Sequence, residues 1–417
     1  MGNCAEPLDF SLYGVSLICC AYSSLQIKLE LVMFRFLTAG ESHGPCLTMI
    51  VEGLPAGLHV ETSIVNADLR RRQGGYGRGG RMKIEKDTIR FLSGVRHGKT
   101  LGSPITMQIE NLDWANWQEQ MSAEPVDAEI EAVTRIRPGH ADFTGAMKYG
   151  HTDIRNVIER SSSRETAARV AVGGLCRQLL ATFGISIHSH VLSIVEIGYD
   201  LPRLMTRDAY PDAMWGRVEA SPVRCADEVL TEKMIARILD AKQHGDTCGG
   251  VFEVVALDVP VGLGGFSQWD RRLSARLAMA MMSIPSAKAV EIGAGFAASR
   301  TTGSHVHDVL RHSNDRWLHL TNNAGGIEGG ITNGEPLVAR VGVKPIPTLA
   351  HPLPSVDLAT GENIDASRYE RSDVCVVPAA GVVGEAMMAI VLAEACIEKF
   401  AGDSLEEMLR NYRSAGI

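Results

Sequence analysis

The sequence predicts a mixed protein in which strands and helices build one large α/β or α+β core, or two or three domains of ordinary size. Its 417 residues are enough for either arrangement. Short runs rich in β-branched and apolar residues recur along the chain, and longer segments with helical periodicity lie between them. Apolar residues make up 45% and charged residues 22%, as is typical of folded globular proteins, so wholesale disorder is excluded.

Strands are predicted where apolar and β-branched residues cluster between turn signals. These runs are "FRFLTAG", "CLTMIVEGLP", "TIRFLSGV", "PITMQIEN", "ISIHSHVLSIVEIG", "GVFEVVALDVP" and "EPLVARVGVK". Helices are predicted from Thr62 to about Arg72 and, most strongly, from His151 to about Phe183, where Gly184 ends the segment. "DRRLSARLAMAMMSI" and the closing "GEAMMAIVLAEACIEKF" are predicted to form two further helices.

Charge and cysteine content limit the compartment and the partners. The formal net charge of −8 gives no general attraction to nucleic acid or to a membrane surface. The nine cysteines are scattered, with no C-x-x-C pair, which favours a reducing compartment, by default the cytoplasm. Residues 1–32 contain an apolar run too short and too polar for a membrane span, and we expect a dispensable extension or a start-site artefact ahead of a domain at 33–417.

A dense cationic run interrupts this acidic chain. "RRRQGGYGRGGRMK" places six cations within residues 70–83 without an acid. Its glycines let the backbone approach a ligand closely, and arginine forks match phosphate and carboxylate oxygens. A loop around a small polyanion, a solvated charged loop and an RGG-like nucleic-acid segment are the three interpretations, although Tyr76 is the run's one aromatic residue for stacking bases.

Two histidines lie in tight glycine-bounded loops, where general acid–base chemistry is plausible. His43 lies in "GESHG" between two predicted strands, and His140 lies in "RPGHAD", three residues after Arg137. The pairs His188/His190 and His305/His307 have strand spacing but no indicated third ligand. No metal site is therefore predicted.

The helix predicted after His151 places a cation on its buried face. At 100° per residue, Arg164 lies in the middle of the core-facing stripe, with Arg160 and Ser161 on its two flanks. A buried cation needs an anion, so either an internal carboxylate or a ligand should meet Arg164. Near the end of the chain, "ERSDVC" sets Arg371 two residues before Asp373, as either a surface ion pair or an anion clamp beside a general base.

The chain closely resembles chorismate synthase over about residues 34–400. "GESHGPCLTMIVEGLP", "ERSSSRETAARVAVGG" and "RSDVCVVPAAGVVGEAM" are similar to that family's three signature stretches, in its order. "RRRQGGYGRGGRM", "RPGHAD", "NNAGGIEGGITNG" and "KPIPT" match further blocks. The resemblance implies a single large domain with helices between two antiparallel sheets, assembled as a homotetramer.

The resemblance also implies an activity. The family converts 5-enolpyruvylshikimate 3-phosphate to chorismate and phosphate by 1,4-anti elimination, with reduced FMN (FMNH2) and no net redox change; NADPH is the candidate reductant. By resemblance, His43 would protonate or poise the reduced flavin, and His140 would serve the departing phosphate. Asp373 would assist proton removal through flavin N5. The alternative is a non-catalytic flavin- or anion-binding member of the family.

Further site residues follow from the same resemblance. Arg72 and Arg78 match positions assigned to the nicotinamide cofactor or to the substrate, and the substrate's anion cage would include Arg81, Arg137 and Arg164. FMN contacts carry over to Arg160, Ser161, Ser162, Gly329, Lys344, Pro345, Ile346, Pro347, Thr348 and Arg371. Two departures from the family pattern are Ser163, where Ala or Gly is usual, and Pro285–Ser286, where an Asn-Ala-like pair commonly contacts the flavin.

Overall fold

The first antiparallel sheet owes its buried face to alternating apolar residues. The computed structural model describes residues 34–80, 84–200, 206–313, 316–368 and 372–416. In one strand of this sheet, Leu47, Met49 and Val51 are fully buried. The strands are β1 (Arg35–Ala39), β2 (Cys46–Glu52), β3 (Ile89–Ser93), the short hairpin β4 (Val95–Arg96) and β5 (Lys99–Thr100), and β6 (Ile105–Glu110). The sheet has the spatial order β1–β2–β6–β3.

The second antiparallel sheet has five strands. These are β7 (Ser186–Ile194), β8 (Ile197–Gly198), β9 (Gly250–Leu257), β10 (Ala287–Ile292) and, further along the chain, Leu337–Val343. Three short hairpins account for the remaining strands of the described residues: β11 (Leu310–Ser313) with β12 (Arg316–His319), β13 (Ile327–Glu328) with β14 (Ile331–Thr332), and β16 (Ser355–Val356) with β17 (Asn363–Ile364). Leu337–Val343 is therefore β15, and the sheet order is β10–β15–β9–β7–β8.

The described residues also form ten α-helices, of which some lie between the two sheets. They are α1 (Thr62–Gln73), α2 (Asp142–Tyr149), α3 (Arg155–Ser161), α4 (Thr166–Ala181), α5 (Asp212–Ala220), α6 (Glu228–Gln243), α7 (Leu273–Met282), α8 (Gly303–Val306), α9 (Val377–Phe400) and α10 (Leu405–Ser414). Helix α4 packs against α1, α9 and β2, whereas α9 packs against β7 and β9 of the other sheet. The predicted layer of helices between two antiparallel sheets is confirmed.

Glycines allow this helix layer to pack closely. A Cβ on Gly173 of α4 would lie 2.4 Å from the Cβ of Ala386 in α9. A Cβ on Gly384 of α9 would lie 2.6 Å from the ring of Phe252 in β9. Helix α9 has the length and apolar composition of a membrane span, but almost all of it is buried between these neighbours.

The element predictions were confirmed with two exceptions. The long helix predicted from His151 to about Phe183 is broken, because Ser162 is extended (φ −63°, ψ 141°) and separates α3 from a 3₁₀ turn at Ser163–Glu165. The closing helix begins at Val377, with a proline in its first turn, rather than at the predicted Gly384. The expected extension at residues 1–32 lies outside the described residues.

Candidate active site

A cavity of about 720 Å³ opens where the loops between these layers meet. This volume is within the range of about 300–1,000 Å³ typical of small-molecule sites. The fold brings together segments that are far apart in the sequence. The predicted site residues that line the cavity are His43, Arg72, Arg78, Arg137, His140, Ser161, Ser162, Arg164, Pro285, Ser286, Lys344, Ile346, Pro347, Thr348 and Asp373.

The other predicted site residues lie elsewhere. Arg160 is exposed, and its Nη2 donates to the carbonyl oxygen of Thr38 in β1 at 2.8 Å. It lies in the last turn of α3, which ends at Ser161 because Ser162 is extended. Gly329 lies in the turn between β13 and β14, and Pro345 follows β15 with its ring facing Gly249. Neither residue belongs to the cavity lining. Arg81 and Arg371 are outside the described residues.

His43 is held by a buried glutamate from α3. Its Nδ1 lies 3.0 Å from both carboxylate oxygens of Glu159, and its backbone N–H donates to Oε2 at 2.8 Å. Arg155 donates to the same carboxylate at 3.1 Å. Burial opposes ionisation of Glu159, but the hydrogen bonds from His43 and Arg155 outweigh it and hold the pKa of this carboxyl below its usual value. The imidazole therefore faces a carboxylate.

His140 has an equivalent arrangement. Its Nδ1 lies 2.5 Å from Oδ1 of the fully buried Asp142, which also accepts from the backbone N–H and the guanidinium of Arg137. Burial acts against ionisation of Asp142, yet the hydrogen bonds from His140 and Arg137 keep its pKa well below the usual range. Arg137 also donates to Thr348, and Lys344 donates to the Gly139 carbonyl oxygen, so the "KPIPT" and "RPGHAD" loops are joined.

Arg164 and Arg72 share a buried carboxylate behind the cavity wall. Nη1 of Arg164 donates to Asp87 at 2.6 Å, and its Nε donates to Asn111 at 3.0 Å. Asp87 also lies 3.5 Å from Nη1 of Arg72. Burial lowers the pKa of Arg72 to about 9; Asp87 opposes this shift, and Arg164 and Arg78 add to it. Among the described residues, Nη1 of Arg72 and Nη2 of Arg164 have no hydrogen-bond partner.

Asp373 pairs with the cationic run. Its carboxylate accepts from the Gly79 backbone N–H at 2.5 Å and lies 2.8 Å from Nη1 of Arg78. Gly77 lets the cationic run lie close to the backbone around Cys375: its φ is +88°, and a Cβ there would lie 3.1 Å from the backbone N of Cys375. The glycines therefore let the run pack against the segment before α9. This supports the polyanion-loop interpretation for Arg72 and Arg78.

The neighbouring arginine of the run serves a different purpose. Arg71 donates to the buried carboxylate of Glu385 in α9 at 2.7 Å, and Arg177 and Arg224 donate to the same group. Burial acts against ionisation of Glu385, but the three guanidinium groups hold its pKa far below the usual value. Consecutive arginines at 71 and 72 thus face a structural ion cluster and the cavity, respectively.

Backbone geometry shapes the remaining wall. The extended Ser162 turns the chain so that Ser161, Ser162 and Ser163 all line the cavity, although on an uninterrupted helix Ser162 would face away from Arg164. Ser286 has a positive φ of 70°, a costly conformation for a non-glycine residue that is often found at functional sites. Burial, together with the charge of Lys288, lowers the pKa of Lys344.

These residues fit a phosphate-bearing flavin and a polyanionic substrate. Guanidinium, ammonium and hydroxyl groups form the donor set, and two buried guanidinium nitrogens still lack a hydrogen-bond partner among the described residues. The cavity is also large enough for a drug-sized ligand.

Sequence reasoning missed the buried acids. Glu159, Asp142 and Asp87 were not among the predicted site residues. The His-x-Asp spacing of "RPGHAD" was a signal for Asp142. Glu159 had no comparable signal, because its contact with His43 spans 116 positions.

Comparisons with known proteins agree on one family. The family model described as "Chorismate synthase" matches residues 34–397. The chorismate synthase of Desulforudis audaxviator is 54% identical over 383 residues, 91% of this chain and 97% of the relative. That of Geobacter sulfurreducens is 55% identical over 390 residues, 91% and 98% of the two chains. A solved structure described as "Crystal Structure of Chorismate Synthase" has a TM-score of 0.75 and 43% identity, and covers 92% of this chain and 97% of its own. The non-catalytic alternative finds no support in these names.

Proposed function

This chain belongs to the chorismate synthase family, and we propose that it carries out that family's reaction, the 1,4-anti elimination of phosphate from 5-enolpyruvylshikimate 3-phosphate. The proposal makes the chain a carbon–oxygen lyase of aromatic amino-acid biosynthesis, the shikimate pathway. A single observation carries it. One cavity combines a cluster of arginines, two carboxylate-bound histidines and Asp373, so anion binding and proton transfer are available at one place.

The arginines have the clearest physical role. As the C–O bond to the leaving phosphate breaks, negative charge grows on the phosphate oxygens. Arg72 and Arg164 are fixed by Asp87 and Asn111 before any ligand arrives, so they stabilise that charge without reorganising. His140 is assigned to give a proton to the departing phosphate, and Arg137 beside it to bind the substrate.

Reduced FMN, when bound, would supply electron density transiently to the elimination, with no net transfer of electrons to the product. The residues that fit its phosphate and ring edges are Ser161, Ser162, Pro285, Ser286, Lys344, Ile346, Pro347 and Thr348. His43 is assigned to maintain the protonation state of the flavin, and Asp373 to assist removal of the substrate proton.

The remaining assignments extend the proposal. Arg72 and Arg78 are the candidate contacts for NADPH as reductant, and Arg81, Arg160, Gly329, Pro345 and Arg371 remain proposed ligand contacts by resemblance. We assign the activity to residues 33–417, in a cytoplasmic homotetramer with a small-molecule substrate and no nucleic-acid or membrane partner.

An anaerobic assay tests the proposal. Purified protein is mixed with 5-enolpyruvylshikimate 3-phosphate and chemically reduced FMN, and chorismate and phosphate are followed together. We expect both products to accumulate at equal rates, and neither to form when the flavin is oxidised or omitted. Absence of turnover while FMN and substrate are shown to bind would refute the proposed activity.

A further inference from the structure

We infer that Asp142 and Glu159 are positioning residues that hold His140 and His43 as Nδ1-protonated imidazoles, which leaves the proton exchange of each histidine to its Nε2. The inference rests on the proposed function for its catalytic meaning. Its structural content, the tautomer of two imidazoles, can be tested without turnover.

The first supporting observation is the number of constraints on each histidine. Glu159 binds His43 at both the side chain and the backbone N–H, and the Trp117 ring stacks on the imidazole with centroids 4.0 Å apart. Nδ1 of His140 lies 2.5 Å from Oδ1 of Asp142 and 3.0 Å from Nη2 of Arg137, and this Nη2 donates to the same Oδ1 at 3.0 Å, so the shorter contact of Nδ1 is the one with the carboxylate. Each ring is therefore fixed in orientation by a group that does not itself line the cavity.

The second observation is the acceptor character of both carboxylates. An ionised carboxylate has no proton to donate, so an imidazole nitrogen at hydrogen-bond distance from it must carry the proton. A neutral imidazole with Nδ1–H has its lone pair on Nε2, and a protonated one releases its Nε2 proton first to keep the bond to the carboxylate. The acids thus determine which ring nitrogen exchanges protons.

The third observation is that each carboxylate also pairs with an arginine. Arg155 contacts Glu159 at 3.1 Å, and Arg137 contacts Asp142 at 2.9 Å. Each unit is a histidine–carboxylate–arginine triad, and the arginine offsets part of the carboxylate's charge. The arginine thereby also holds the carboxylate in place against the imidazole.

The tautomers can be read directly from nitrogen-15 NMR. The protein is labelled at histidine, loaded with FMN and recorded above neutral pH, and each signal is assigned by its loss in His140→Gln or His43→Gln. We expect Nδ1 to be the protonated nitrogen of both residues. A spectrum of the wild-type protein with protonated Nε2 and unprotonated Nδ1 at either histidine would overturn the inference for that residue. This measurement uses the wild-type protein, so it does not depend on whether the Asp142 or Glu159 variants fold.

Asp142→Asn supplies the causal test. Arg137 donates to Oδ2 twice, from its backbone N–H and its Nε, and to Oδ1 once, from Nη2, so the carboxamide oxygen should occupy the Oδ2 side and place the NH2 against His140. We expect the His140 tautomer to invert, and turnover to fall about a hundredfold or more while substrate KM changes less than fivefold, by analogy with carboxylate-to-amide changes beside other catalytic histidines. An unchanged tautomer with turnover within threefold of wild type would overturn the role of Asp142.

Controls separate this inference from the proposed function. Glu165→Gln makes the same carboxyl-to-amide change at an acid that pairs with Arg169 and is not part of the cavity lining, and it should change neither spectrum nor rate. If the wild-type protein shows the expected tautomers but no elimination, the proposed function fails and the positioning role stands. If elimination occurs with the opposite tautomers, the positioning role fails alone.

Discussion

The Arg78 guanidinium lies 2.8 Å from the Asp373 carboxylate, and this ion pair joins the glycine-rich cationic run to the segment that leads into α9. Both side chains are mostly buried, with 11% and 16% of their surfaces exposed, and both face the cavity. The pair therefore places a carboxylate and a guanidinium side by side in the cavity wall. Arg371, the cation that strand spacing places beside Asp373, lies outside the described residues.

Asp373→Asn tests the role of this acid. The amide keeps the size of the side chain but cannot accept a proton, so we expect turnover in the anaerobic assay to fall about a hundredfold or more, within the usual range for loss of a general acid–base group. Reduced FMN should bind within threefold of wild type, as measured by anaerobic titration. Asp270→Asn, a change at an exposed acid outside the cavity lining, is the control. Turnover of the Asp373 variant within threefold of wild type would rule out the assigned role.

Arg164→Met should reduce both stability and activity. The structure pairs Arg164 with the buried Asp87 at 2.6 Å, which is the internal carboxylate of the two alternatives that the sequence left open. Without Arg164, the buried Asp87 keeps only its longer 3.5 Å contact with Arg72, so we expect the free energy of unfolding in urea to fall by about 3 kcal/mol, the lower end of the range for a broken buried ion pair. A change below about 1 kcal/mol would contradict this pairing, since it lies under the range expected for a broken buried pair.

Glu385→Gln should remove an acid-sensitive part of the stability. The folded-state pKa of Glu385 is depressed, so its contribution is present above the unfolded-state value of about 4.3 and is lost as pH falls toward the folded value. We therefore expect the difference in unfolding free energy between wild type and variant to be largest near pH 7 and to shrink steadily below about pH 5. Urea titrations across this range check it, and a difference that does not vary with pH would show that the charge of Glu385 is not what stabilises the fold.

Gly384→Ala should destabilise the protein although alanine is the better helix former. The new methyl group would lie 2.6 Å from the Phe252 ring, and overpacking of this kind costs about 1–3 kcal/mol. Gly216→Ala in α5 is the matched control, since a Cβ there meets nothing within 4 Å and should stabilise by about 0.5–1 kcal/mol. Thermal unfolding of both variants decides the matter: a Gly384 variant as stable as the control would mean that α9 and β9 can move apart at little cost.

Much of the local structure could be predicted from sequence, because it depends on local patterns. Examples are the alternation of buried and less buried residues along β2 and the helical periodicity of apolar residues in α4. The strand order and the position of the helix layer depend on contacts between distant segments. The family resemblance implied the helix layer but no strand order.

The candidate site shows the same division. His43, His140 and Asp373 were identified through their motifs. Glu159 lies in no recognised site motif, and its contact with His43 could not be projected from helical periodicity because Ser162 breaks the predicted helix. Asp87 could not be linked to Arg164 from sequence, since 77 positions separate them and neither lies in a shared motif.

The most direct test of the central claim is a single anaerobic turnover. Protein loaded with reduced FMN is mixed with less than one equivalent of 5-enolpyruvylshikimate 3-phosphate, and chorismate, phosphate and the flavin absorbance are followed together. The account predicts one chorismate and one phosphate per substrate, with the flavin reduced at the end. Phosphate without chorismate, or flavin oxidised in proportion to product, would contradict an elimination without net redox change in this cavity.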